Sequence, residues 1–128
     1  MFVRFVVPCK HDDSHRLTGV FQAACLLRGR GLLSHWEEEQ YDALCQWFNR
    51  HLAIPGKLSR SRRRHACRNA ICWFKAEATE YIVRVRAIAA LIERCGTRTE
   101  MLRTRRPGYV VYEDAHQVAA VPFRHTRA

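Results

Sequence analysis

The spacing of apolar residues predicts helices in the first three quarters of the chain and strands mainly in the last quarter. Apolar residues three and four positions apart lie on one face of a helix, whereas a run with period two is typical of a strand. The first predicted helix begins at Thr18, its amino-terminal cap, and continues to Arg28. The second begins at Ser34 and ends near Leu52. The third lies between Asn69, which can cap its start, and Gly96, which can end it.

The second helix carries a signal for its first residue. Ser34 and Glu37 have the spacing of a capping box, in which each side chain accepts a hydrogen bond from the backbone of the other residue. The apolar face that follows consists of Tyr41, Leu44, Cys45, Phe48 and Leu52.

The third helix has the longest apolar stripe. Such a stripe packs within the chain or, as a coiled coil, against a second copy. It covers only about three heptads and has Ala and Tyr at core positions, which favours packing within the chain and a monomer. We expect Phe74, Val85 and Ile88 to be nearly fully buried, together with Phe5 and Val7. The stripe consists of Ile71, Phe74, Ala78, Tyr81, Val85, Ile88 and Ile92.

Four strands are predicted around these helices. The apolar run Phe2–Val7 ends at Pro8 and is typical of a strand buried on both faces. The other three follow Gly96 and form a meander with turns at 105–108 and 114–116. They are Glu100–Thr104, Tyr109–Glu113 and Gln117–Val121.

This order, β-α-α-α-β-β-β, favours an α+β fold, because strands and helices occur in separate runs. We expect a mostly antiparallel sheet of about four strands, with the amino-terminal strand inside it and three helices packed on one face. Residues 1–123 form a single domain in this interpretation, and 124–128 form a mobile tail.

The charge of the chain lies in one part of it. Residues 1–56 contain six basic and six acidic residues, so the whole net charge of +10 belongs to 57–128. Six positive charges fall within Lys57–Arg68, which contains no acid. Such a segment attracts polyanions, and the sequence therefore predicts a nucleic-acid-binding surface here, in the loop between the second and third helices.

Arginine suits this role because its guanidinium pairs with phosphate through two hydrogen bonds and stacks on bases. The excess of 19 arginines over 3 lysines is also what a G+C-rich genome produces, but codon usage does not explain six charges in twelve residues. His65 and Trp73 could stack on an unpaired base. The predicted contact residues of this region are Lys57, Arg60, Arg62, Arg63, Arg64, His65, Arg68 and Trp73.

A second basic cluster surrounds the first predicted hairpin. Arg105 and Arg106 lie in its turn, and Arg98 and Arg103 are close in sequence. We count Arg103, Arg105 and Arg106 among the predicted nucleic-acid contacts. The prediction for this cluster is stronger if the cluster lies on the same face of the protein as the loop 57–68.

No catalytic site, metal site or cofactor is predicted. His11, Asp12, Asp13 and His15 follow a buried strand and could bind a divalent cation, but capping of the next helix explains these residues better. Glu113, Asp114 and His116 have the composition of an ordinary turn. The sequence has no phosphate-binding glycine loop, no nucleophile elbow and no zinc-protease motif.

The segment 108–121, Gly-Tyr-Val-Val-Tyr-Glu-Asp-Ala-His-Gln-Val-Ala-Ala-Val, resembles the closing hairpin of RelE-type messenger-RNA-cleaving toxins. An amino-terminal strand, helices and a carboxy-terminal meander with basic turns are also similar to that family. The resemblance implies a small RNase, and it assigns no catalytic residue here.

Three functional hypotheses result: a non-catalytic RNA- or DNA-binding domain, an interaction module that docks on an acidic protein, and a small nuclease. The six cysteines are scattered, which favours free thiols in a reducing cytoplasm. The sequence has no apolar run of about 20 residues, the length that a membrane span needs.

Overall fold

The computed structural model describes residues 1–10, 16–53 and 70–128, in which three helices pack on an antiparallel sheet. The predicted α+β class is therefore confirmed. In chain order the elements are β1 Phe2–Lys10, β2 Leu17–Gly19, α1 Val20–Gly29, α2 His35–His51, β3 Ile71–Lys75, α3 Thr79–Arg94, β4 Glu100–Thr104, β5 Tyr109–Glu113 and β6 Gln117–Val121.

Strand β1 is the centre of the sheet, because three strands pair with it. Phe2 and Val3 pair with β3 and also with β4, which places β3 and β4 on opposite edges of β1. Strand β2 pairs with β1 from Val6 onward. The sheet continues from β3 to β6 and then to β5, and every pairing is antiparallel. The prediction that the first strand is an inner strand is confirmed.

Side chains alternate between the two faces of β1 and supply two apolar layers. Val3, Phe5 and Val7 belong to the larger core, which lies between the sheet and the three helices. Val6 belongs to a smaller core on the other face, together with Trp73, Leu102 and Val118.

Helix α2 has the predicted capping box. The Glu37 backbone N–H donates to Ser34 Oγ at 3.2 Å, and the Ser34 N–H donates to Glu37 Oε1 at 2.9 Å. The prediction for the start of helix α1 is wrong. Thr18 lies in the short strand β2, and Gly19 is the cap residue of α1, with no side-chain hydrogen bond.

The predicted third helix is two elements. Ile71–Lys75 is strand β3, and helix α3 begins only at Thr79. The spacing of Ile71, Phe74 and Ala78 suits a helix, but four successive residues of this segment, Ile, Cys, Trp and Phe, also suit a strand. The segment forms a strand because it pairs with both β1 and β6.

The apolar stripe of α3 packs within the chain. Val85 and Ile88 are buried, as predicted, and Phe5 and Val7 are buried opposite them. Phe74 is only partly buried, because it lies on β3 at the side of this core and not on the helix.

The sheet is larger and differently connected than predicted. Among the described residues it has six strands where about four were expected. Strand β4 pairs with β1 and not with β5, so the first predicted hairpin does not form. Residues 105–108 instead connect strands on opposite edges of the sheet, which curls to allow this short connection. The second hairpin, β5–β6, forms with the predicted bounds.

The end of the chain contacts the rest of the fold. The Leu17 N–H donates to the Ala128 carbonyl at 2.8 Å, and Arg127 pairs with Glu100. The described cysteines, Cys9, Cys25, Cys45, Cys72 and Cys95, are free thiols. None of the helices in the described part of the chain has the length and hydropathy to cross a membrane.

Candidate nucleic-acid interface

The whole of the predicted arginine loop, 57–68, lies outside the described residues. This applies to Lys57, Arg60, Arg62, Arg63, Arg64, His65 and Arg68, and equally to the candidate metal-binding residues His11, Asp12, Asp13 and His15. Their predicted roles stay predictions.

Trp73 does not have the position that was predicted for it. Its side chain is 1% exposed and packs with Val6 and Val118 in the smaller core. A tryptophan covered in this way has no open ring face for a base. It is therefore withdrawn from the predicted nucleic-acid contacts.

The second basic cluster lies beside a groove, which we call the basic groove. Arg103, Arg105 and Arg106 are exposed at the end of β4 and in the connection that follows it. The groove has a volume of about 480 Å³. Its lining residues are Arg103, Thr104, Arg106, Phe123, Arg124, His125, Thr126 and Arg127.

Gly108 allows the connection between β4 and β5 to pass close to the end of β6. Its φ of 139° is in the region that favours glycine, and a Cβ atom built there would lie 2.0 Å from the Val121 carbonyl oxygen. This close approach carries the connection 105–108 past the end of β6. Arg106 is thereby placed beside Phe123, although 17 positions separate them in sequence.

A hydrogen-bonded turn forms the second wall. The Phe123 N–H donates to Thr126 Oγ1 at 3.1 Å, and the Thr126 N–H donates to the Phe123 carbonyl at 3.0 Å. Arg127 then anchors the turn through two hydrogen bonds to Glu100, at 2.6 and 2.9 Å. Arg124 and His125 are left exposed at the tip.

Positive charge dominates this surface. Residues 98–106 and 122–128 contain six arginines and one acid, Glu100. The hydrogen bond from Arg127 holds the pKa of Glu100 below its usual range, so this acid is ionised at neutral pH and neutralises Arg127. The structure gives no acidic partner within the described residues to Arg103, Arg106 or Arg124, which therefore remain for an external anion.

An exposed aromatic ring lies among these charges. Phe123 is 44% exposed, and the Arg106 guanidinium carbon lies 5.6 Å from the centre of its ring. The groove therefore combines cations with a flat apolar surface. This is the composition of sites that hold the phosphates of a single strand and stack its bases.

The Glu113–His116 region forms a turn, as predicted. Asp114 accepts hydrogen bonds from the backbone N–H groups of His116 and Gln117, at 2.8 and 3.0 Å. Glu113 pairs with Lys75 at 2.7 Å. These contacts account for the two acids as structural residues.

Sequence reasoning missed Phe123, Arg124, His125 and Arg127, because 124–128 were assigned to a tail. A signal was present in the sequence: two arginines and a histidine follow a phenylalanine at the end of a strand. What could not be foreseen is that β4 pairs with β1, which brings this segment to Arg103 and Arg106.

No group of His, Cys, Asp and Glu side chains suited to a metal occurs among the residues that the structure describes. Comparisons with protein-family models, with curated proteins and with solved structures found no match to this chain. None of these comparisons supports the resemblance to RelE-type toxins, which stays a prediction from the sequence.

Proposed function

We propose that this protein binds single-stranded nucleic acid at the basic groove. Arg103, Arg106 and Arg124 bind successive phosphates, and a base stacks on Phe123. Phosphate contacts of this kind supply affinity with little sequence preference. The arginines of the loop 57–68 lie outside the described residues and remain predicted contacts in their own right.

One observation carries this proposal: three exposed arginines without an acidic partner among the described residues line the same groove as an exposed phenylalanine. The charge alone would equally suit an acidic protein. An open aromatic ring among the charges favours a ligand that has both phosphates and bases.

The first test measures the salt dependence of binding. The double variant Arg103→Ala/Arg106→Ala should bind a fluorescent single-stranded RNA more weakly than the wild type. Its slope of log affinity against log salt should be flatter by about 1.4, since each contact to a single strand contributes about 0.7. Fluorescence anisotropy over a series of salt concentrations measures both quantities.

A matched control removes the same charge elsewhere. Arg30 and Arg50 are exposed at the ends of α1 and α2, so Arg30→Ala/Arg50→Ala also lowers the net charge by two. This variant should keep a slope close to that of the wild type. Equal slopes in the two double variants would show that the groove is not the site.

The second test separates nucleic acid from other polyanions. Phe123→Ala should weaken binding of single-stranded RNA by roughly 1–3 kcal/mol, the contribution of one stacked base. Binding of inorganic polyphosphate, which has no bases, should be unchanged. Equal losses for both ligands, or no loss for either, would contradict stacking and favour the acidic-protein hypothesis.

The third test concerns the arginine loop. Replacing Arg62, Arg63 and Arg64 by Ala should flatten the slope for a single strand by about 2, at about 0.7 per contact. Arg→Lys at these positions should preserve a pure charge effect and weaken bidentate or stacking contacts. Wild-type affinity and slope in the triple Ala variant would leave codon usage as the better explanation of these arginines.

The same samples test the nuclease hypothesis. If the RNA is found cleaved after incubation with the wild-type protein, that hypothesis is favoured over binding without catalysis.

A further inference from the structure

The start of α2 and the end of α3 form a surface with an exposed tryptophan. Leu32 precedes α2 and Trp36 lies in its first turn, and each is 56% exposed. The Cys95 thiol donates to the Leu32 carbonyl at 3.7 Å, and the Arg94 guanidinium carbon lies 5.0 Å from the centre of the Trp36 ring. These two contacts join Leu32, Trp36, Arg94 and Cys95 into one surface, which we call the tryptophan patch.

The local structure holds Trp36 in place. The capping box of Ser34 and Glu37 fixes the first turn of α2 on both sides of it in sequence. Arg94 belongs to the last turn of α3, so the two stacked side chains lie on two regular helices. A side chain that is already positioned loses little conformational freedom when a partner covers it.

The composition of the patch is that of the centre of a protein interface. Tryptophan and arginine are the residues that most often supply the binding energy of such a contact, and aromatic residues are enriched there. Burial of Leu32 and Trp36 against a partner would also remove apolar surface from water. The tryptophan patch therefore indicates a protein partner.

The charges around the patch cancel. Residues 28–42 and 93–98 contain four arginines and five acids, although the chain as a whole has a net charge of +10. Hydrogen bonds to Ser34 and the nearby Arg94 guanidinium hold the pKa of Glu37 below its usual range, so this acid is ionised beside the arginine. Two copies of a chain with a large net charge repel each other, and a contact between them is least opposed where the local charge is near zero. The five acids also oppose a nucleic acid at this surface.

Acid and base are placed so that the patch complements itself. Glu39 lies one turn after Trp36, on the same side of α2, and Arg94 lies over the Trp36 ring. Glu39 contacts His35 at 3.0 Å, but these side chains are 66% and 88% exposed, so the carboxylate is open to a partner. In a twofold contact the same surface meets itself, and each charge pair across it occurs twice.

We propose that the tryptophan patch binds a second copy of this chain in a twofold-symmetric dimer. Trp36 and Leu32 of one copy pack on the same residues of the other, and Arg94 of each copy pairs with Glu39 of its partner. The sequence predicts a monomer because the apolar stripe of α3 packs within the chain, and the proposed dimer uses a different surface from that stripe.

The first test measures mass against concentration. Sedimentation equilibrium of the wild-type chain, freed of nucleic acid, should show a mass that rises from the 15.0 kDa of one chain towards twice that value. Trp36→Ser should raise the dissociation constant about tenfold or more, the loss typical of a tryptophan at the centre of a contact. A mass that stays at one chain up to millimolar concentration would overturn the proposal.

Val83→Ser is the matched control for Trp36→Ser. Val83 is 58% exposed on α3, eleven residues and therefore about 16 Å along the helix from Arg94. This variant should dimerise like the wild type. Equal dissociation constants for Trp36→Ser and the wild type would show that any dimer uses another surface, and would overturn the proposal.

A charge exchange tests the pairing without changing the apolar residues. Arg94→Glu and Glu39→Lys each place like charges opposite each other, so each variant alone should be monomeric. An equal mixture of the two variants restores both pairs and should form a heterodimer. Variants that dimerise alone as well as the wild type, or a mixture that stays monomeric, would overturn the proposal. Nucleic-acid binding at the basic groove is a separate property, and neither result depends on the other.

Discussion

At the scale of single residues, Asp114 holds the turn between β5 and β6 through four hydrogen bonds. Two come from backbone N–H groups, one from the Tyr112 hydroxyl at 2.8 Å and one from the Gln117 amide at 3.2 Å. Gln117 is itself 1% exposed and also donates to the Ala53 carbonyl at 2.9 Å. One carboxylate thus connects the turn, through Gln117, to the segment after α2.

These contacts make the stability of the protein depend on acid pH. Burial raises the pKa of Asp114, but hydrogen bonds from His116, Tyr112 and Gln117 outweigh it and hold the pKa below its ordinary value. The ionised carboxylate therefore stabilises the fold fully above about pH 4, the ordinary value for Asp. This contribution is lost as the pH falls through the lower pKa of the folded state.

We predict that Asp114→Asn lowers the free energy of unfolding at pH 7 by about 1–2 kcal/mol, since the amide accepts fewer hydrogen bonds. The difference from wild type should shrink as the pH falls below about 4, because the unfolded chain binds a proton at Asp114 first and the folded carboxylate is protonated only at lower pH. Urea denaturation at several pH values measures this difference in the free energy of unfolding. Asp42→Asn, which alters an exposed ion pair with Arg28, should cost no more than about 1 kcal/mol. A difference for Asp114→Asn that is independent of pH would contradict the assigned role.

At the scale of elements, helix α3 is joined to the sheet by one buried face. Val85 and Ile88 are 1% and 0% exposed, whereas Val83 of the same helix is 58% exposed. The helix thus provides a test of burial with its own control residue.

We predict that Val85→Ala or Ile88→Ala lowers the free energy of unfolding by about 1–4 kcal/mol, through lost burial and a cavity. Val83→Ala removes the same atoms as Val85→Ala and should change it by less than about 0.5 kcal/mol. Chemical denaturation of the three variants makes the comparison. A similar cost at positions 83 and 85 would show that the helix packs on a different face.

Elements were predictable where their signals are local. The bounds of β4, β5 and β6 follow from alternation and from the turn residues between β5 and β6, and the capping box defines the start of α2. The segment Ile71–Lys75 was assigned wrongly because local spacing continues into α3, whereas its strand structure depends on pairing with β1 and β6. The predicted role of Trp73 was wrong for the same reason.

At the scale of the whole molecule, the basic groove depends on how the sheet curls. We predicted Arg103, Arg105 and Arg106 as contact residues from the sequence alone, because charge is visible without structure. Phe123 and Arg124 lie beside them only because β4 and β6 end near each other. That proximity depends on strand pairing between distant parts of the chain.

Gly108 tests this dependence. We predict that Gly108→Ala lowers the free energy of unfolding by about 1–3 kcal/mol from backbone strain, and that its Cβ displaces the connection from Val121. Binding of single-stranded RNA should weaken as well, because Arg106 moves with the connection. Urea denaturation and fluorescence anisotropy measure the two effects.

Gly29→Ala is the matched control for Gly108→Ala. Gly29 lies in α1, and an added Cβ would meet no atom within 4 Å, so this variant should be as stable as the wild type or slightly more stable. Unchanged stability of Gly108→Ala would mean that the connection has room for a side chain.

The central position of β1 has a consequence for synthesis of the chain. Strand β2 follows β1 closely in sequence, but Phe2 pairs with Lys75 and with Thr104, so the start of the first strand obtains its neighbours only after most of the chain has left the ribosome. Pairings over such separations make folding slow, since a long loop must close before any contact stabilises it. Until Glu100–Thr104 is available, the apolar strand Phe2–Lys10 has an open edge that can pair with another nascent chain. Fragments that stop before residue 100 should therefore aggregate, and chaperones that hold extended apolar segments should bind the amino-terminal ten residues.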